Sequence, residues 1–214
     1  MSNRICLLLK SSASLEASKI GFFQAYCKNE FYMRANLINF ALMTFSATAT
    51  LAFALIISGS VREIFKNEAV GFQLFSCWAL AAFAITCALS CIMVTIFGRK
   101  TLLLIGFSLL AVTNLTMIIL YMMSYEHRDL VYIGTTGFIS MTTIGPTAWI
   151  YSAETQPDIG VGIQLALYML ILLCTSPVKQ HIACHPMSLL LLCAVSLLAT
   201  AFVWIYLPET KNLT

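Results

Sequence analysis

Residues 102–124 read LLLIGFSLLAVTNLTMIILYMMS, and not one of them carries a charge. Crossing a bilayer core takes about 20 apolar residues in helical form, so this run is long enough to span one. Charge-free runs at residues 71–97 and 187–207 meet the same requirement. The rest of the chain agrees. Of its 214 residues 60% are hydrophobic and 10% charged, with a mean hydropathy of +0.88. A soluble domain carries about a quarter charged residues, so a water-facing surface cannot be assembled here.

Six spans are predicted, at residues 37–58, 71–97, 102–124, 130–153, 160–176 and 187–207. All should be helical, because hydrocarbon offers no partner to an open backbone group. The fold class is therefore all-α, a multi-pass transmembrane bundle. The chain divides into residues 1–35, a cytoplasmic leader, and residues 36–214, a six-helix membrane domain. Within the leader, residues 20–34 suit either an interfacial amphipathic helix or a partly ordered segment. The short apolar stretch 5–9 is below the roughly 7–15 residues of a signal-peptide core, so targeting falls to the first span.

Lys and Arg near the span ends set the orientation. With both termini cytoplasmic, the inner side holds Arg4, Lys10, Lys19, Lys28, Arg34, Arg99, Lys100 and Lys211, against Arg62, Lys66, Arg128 and Lys179 outside. The plasma membrane is the expected location.

Several function classes are excluded by what is missing. The spans hold no His, no Asp and no pair of carboxylates, and no Gly-rich phosphate loop occurs. Hydrolytic, redox and ATP-driven chemistry lack their residues, so no catalytic residue, no enzyme activity and no cofactor is expected. Most of the eight cysteines lie in apolar runs, where they act as small hydrophobes. His181 and His185 flank Cys184 in "HIACH", which is no recognised metal spacing; no metal site is expected. A net charge of +3 without a basic block gives no sign of nucleic acid. The sequons at Asn114 and Asn212 fall in the membrane and the cytoplasm, so neither should be glycosylated.

One stretch breaks the pattern. "GPTAWIYSAETQP", residues 145–157, sets Gly145-Pro146 deep in an uncharged segment and Glu154 just beyond it. Proline removes the amide bond to the carbonyl of Thr142 and bends the helix. That is either a passive kink or a hinge. Trp149, one turn further on, is either an interfacial anchor or an aromatic wall of a solute cavity. Arg99 and Glu154 both fall at cytoplasmic helix ends. They are either two solvated charges or a clamp, with Lys100 assisting, that closes in one conformation and opens in another.

Three motifs in order carry a resemblance to the second half of a sugar porter of the major facilitator superfamily. "FGRK" at residues 97–100 resembles the family's D-x-x-G-R-[RK] turn. The stretch 145–157 resembles its G-P-x-P-W-x-x-x-x-E-x-x-P signature, and "LPETKN" at 207–212 its P-E-T-K-G element. The resemblance covers residues 34–214. It implies helices seven to twelve of a twelve-helix carrier whose two six-helix halves rock about a central solute site. Gly145, Pro146 and Trp149 would be substrate-facing, and Arg99, Lys100, Glu154 and Glu209 would form a conformational ion-pair network. The implied partners are membrane lipid, a small sugar or sugar-like solute, and a second six-helix half or a full-length transporter. The implied activity is alternating-access transport by a half or truncated carrier. The alternative is a non-transporting membrane protein that regulates a full-length relative. This chain departs from the family at Thr95, Ala148 and Val161, where Asp, Pro and Arg are usual. Residues 40–60 also lack the Gln and Asn that usually meet sugar hydroxyls.

Overall fold

The computed structural model describes residues 30–56, 81, 84–86, 88–123, 128–156, 158–175 and 186–208. Among them every extended segment is helical and no strand occurs. Helix α1 is Glu30–Ile56. Helical residues 88–97 lead into Gly98, and α2 is Arg99–Met122. Next comes one rod in three parts: α3, Arg128–Ile139, a π-helical turn Ser140–Ile144, and α4, Gly145–Thr155. Helices α5, Asp158–Thr175, and α6, Pro186–Tyr206, complete the bundle. Arg99–Met122 and Met187–Tyr206 are long and apolar enough to cross a membrane by length and composition. The predicted second span is described only toward its end. The HIACH segment, the Asn212 sequon, Pro157, Glu209 and most of the leader lie outside the described residues.

Two departures from the hydropathy reading have a local cause. Helix α1 starts at Glu30, ahead of the apolar run at Leu37, because polar residues continue the helix beyond the hydrocarbon and find partners there. The fourth span is interrupted before its Gly-Pro pair, not by it. Gly145 N–H reaches back five residues to the Ser140 carbonyl, which makes the preceding turn π-helical. One extra residue in a turn leaves carbonyls short of amide partners. Thr142 and Thr143 serve two of them, their hydroxyls donating to the Phe138 and Ile139 carbonyls at 2.6 Å each. Pro146 then falls in the first turn of α4, where a missing amide proton costs no helical bond. The rod ends at Gln156, whose φ of −130° and ψ of 154° are the extended values a following proline imposes.

Polar side chains are buried beside an apolar core, while the outer surface is apolar. Buried positions include Asn39, Asn114, Thr136, Thr147, Ser152 and Gln164. Large apolar side chains face outward: Val112 is 58% exposed and Leu198 63%. A water-soluble fold reverses this; lipid permits it, because tails are as apolar as leucine. Association then rests on close packing and interhelical hydrogen bonds. A close approach involves Gly106 of α2, where an added Cβ would lie 2.8 Å from Ile144 Cγ1 and run into the Thr143 side chain. Phe45 of α1 joins the apolar core with its ring 6.4 Å from Phe107 and 5.6 Å from Phe202.

Helix directions alternate. The starts of α1 and α2 therefore share one end of the bundle with the ends of α4 and α6, as their side-chain contacts demonstrate.

Candidate functional site

The turn before α2 depends on Gly98, buried with φ at 84° and ψ at 164°, a backbone state essentially reserved for glycine that costs other residues about 1–3 kcal/mol. Its N–H still bonds to Val94 and its carbonyl accepts from Leu102, both at 3.2 Å. Gly98 thus keeps both of its own backbone bonds at the turn, and Arg99 becomes the first residue of α2. The guanidinium meets Glu154, in the last turn of α4. Arg99 Nε donates to Glu154 Oε1 at 3.1 Å, and Nη2 pairs with the same oxygen. The two side chains are 15% and 25% exposed, so water still reaches the pair, and pairs of this kind contribute about 0.2–1 kcal/mol. Such an interaction can be broken and remade.

Lys100 goes elsewhere. Its Nζ donates to the Trp204 carbonyl at 2.9 Å and lies 5.9 Å from the centre of the Trp204 ring, tying α2 to the last turn of α6. Thr95, at the family's Asp position, donates to the Ile92 carbonyl of its own helix at 2.7 Å. The structure thus brings Arg99 and Glu154 together and turns Lys100 to a different partner.

Beside the ion pair runs a seam of neutral polar groups that the sequence reading missed. Gln156 Nε2 donates to Asn36 Oδ1 at 2.7 Å. Asn39 Nδ2 donates to Thr155 Oγ1 at 2.8 Å, and Ser152 Oγ to Gln164 Oε1 at 2.6 Å. These bonds knit α1, α4 and α5 together. A second buried knot joins α2, α3 and α6, with Tyr132 donating to Asn114 Oδ1 and Asn114 Nδ2 reaching Ser196 Oγ at 3.4 Å. The available signal was an amide inside an apolar run.

Gly145 and Pro146 are half-buried where the π turn passes into α4. Trp149, one turn on, packs against the apolar core and meets the Tyr168 ring edge-on, centroids 5.4 Å apart. Buried hydroxyls of Ser46, Ser140 and Thr147, and Asn39 Oδ1, have no hydrogen-bond partner among the described residues. A cavity of about 10 Å³ between α1, α2 and α6, touched by Thr48, Asn114 and Ser196, is water-sized and too small for a solute. Among the described residues no group of three His, Cys, Asp or Glu could hold a metal ion.

The arrangement places neutral hydrogen-bonding groups between the helices and an ion pair at one end of the bundle. It offers no acid–base pair for covalent chemistry among the described residues. A search of curated proteins gave no match. The family model described as "Sugar (and other) transporter" matches residues 10–214. On that match, and as an all-α multi-pass membrane bundle, the chain belongs to the sugar transporter family of the major facilitator superfamily.

Proposed function

We propose that the chain forms one six-helix wall of a carrier that moves a small sugar or sugar-like solute by alternating access. It works as a half or truncated carrier against a second six-helix half or a full-length transporter. Residues 1–35 serve as its cytoplasmic leader, both termini face the cytoplasm, and the plasma membrane is its site. The observation that carries this reading is the Arg99–Glu154 pair at the end of a rod interrupted by the π turn. A weak ion pair still reached by water at the tip of a helix with a wide turn in its middle is suited to opening and closing. The family resemblance assigns Glu209 to the same network, and Lys100 braces α6 through the Trp204 carbonyl. Gly145, Pro146 and Trp149 face the solute.

The test is uptake of labelled hexose into vesicles holding the purified chain with its partner half. Arg99→Glu and Glu154→Arg should each lower the rate about tenfold or more, since like charges then meet at the closing end. The double variant should recover most of the loss. A double variant as poor as either single one refutes the clamp. No flux above empty vesicles, with a full-length transporter co-purifying, points instead to the regulatory role.

A further inference from the structure

Trp149 on α4 is linked through one aromatic neighbour on α5 to a third helix. Its ring meets the Tyr168 ring of α5 at 69°, centroids 5.4 Å apart. The Tyr168 hydroxyl in turn donates to Thr50 Oγ1 of α1 at 2.9 Å. Thr50 gives its own proton to the Ser46 carbonyl at 3.0 Å. Its oxygen lone pairs are therefore free to accept from Tyr168, and each polar atom of the chain has a settled direction. Gln164 lies one turn before Tyr168 on the same face of α5. It holds Ser152, three residues beyond Trp149. Helix α5 thus grips α4 at two successive levels, and at the Trp149 level it is itself anchored to α1.

We infer that Tyr168 is a positioning residue, fixing the Trp149 ring in the orientation offered to solute. This rests on the transport reading above, in which Trp149 faces the solute. A half-buried tryptophan with two free side-chain torsions samples several rotamers. An edge-on neighbour whose far tip is tied to a third helix removes that freedom. Tyrosine suits the position because it supplies both the ring edge and the hydroxyl, and phenylalanine supplies only the first.

Time-resolved fluorescence anisotropy tests this on the full chain in phosphatidylcholine vesicles with no solute present. Trp78→Phe and Trp204→Phe leave Trp149 as the sole indole. Tyr168→Phe and Thr50→Val should each lower the residual anisotropy of Trp149 about twofold, and the double variant no further, because the two groups act through one bond. Thr50→Ser keeps the hydroxyl and should keep the parent value. Unchanged anisotropy in Tyr168→Phe, or additive losses in the double variant, overturns the inference. Labelled hexose uptake by the same vesicles, reconstituted with the partner half, should show a KM raised about threefold by Tyr168→Phe at an unchanged maximal rate. An unchanged KM with a lowered maximal rate also overturns it. If the parent chain moves no hexose while the anisotropy pattern holds, the transport reading fails and the brace stands. Normal uptake with unmoved anisotropy does the reverse.

Discussion

The two sides of this bundle are held together differently. Among the described residues, helices α2 and α6 share the most extensive contact, a mainly apolar seam interrupted by the Asn114–Ser196 bond. Helices α1, α4 and α5 meet through amides and hydroxyls. In lipid no hydrophobic force drives helices together, so the first side depends on shape and the second on directional bonds. Close packing has one good arrangement. Hydrogen bonds between neutral side chains can exchange partners, at an average worth of about 0.6 kcal/mol each in membranes. The first side reads as scaffold and the second as the part able to rearrange.

Substitutions can break or sharpen that contrast. The largest effect belongs to Gly106→Val on the packed side. The new methyls would overlap Thr143 and Ile144, and overpacking of this kind costs about 1–3 kcal/mol, read as a lowered midpoint in detergent unfolding. A midpoint unchanged within error would mean that α2 does not sit so close to the π turn. Next comes a matched pair. Asn114→Leu strands the buried Tyr132 hydroxyl and should cost about 1–3 kcal/mol. Gln164→Leu on the polar seam should cost only about 0.6 kcal/mol. Equal losses in the same unfolding assay would erase the distinction between the two sides. The smallest change is Thr147→Val, a near-isosteric swap at a fully buried hydroxyl without a partner among the described residues. It should be neutral or stabilising by about 0.5 kcal/mol, since removing an unpaired polar atom recovers desolvation free energy. A loss above about 1 kcal/mol would mean that this hydroxyl is engaged after all.

Much of the fold was legible in the chain because span length and charge distribution are local properties. Residues 102–124 and 187–207 announce their helices, and Gly98 announces the turn that sets Arg99 at a helix start. The meeting of Arg99 with Glu154 was half legible: alternating spans bring their ends to one side, but the chain alone left a pair and two solvated charges equally open. Register was not. That Asn39 faces Thr155, and Gln156 faces Asn36, depends on how helices rotate and slide against each other, which no single span encodes. The π turn escaped for a related reason. Gly145-Pro146 signals a defect, but Thr142 and Thr143 back-bonding to their own helix decides where the defect settles. The direction of Lys100, toward Trp204 and away from the acidic partner, likewise depends on where α6 ends.

The wide turn at Ser140–Ile144 acts as a phase setter for everything after it. A regular α-helix advances about 100° per residue, so the one residue it absorbs fixes which way the whole of α4 looks. Were the segment to relax to ordinary helical winding, Glu154 would swing a quarter-turn or more around the axis and lose sight of Arg99. A five-residue stretch in mid-bundle can thus govern a charge contact more than two turns away by winding alone.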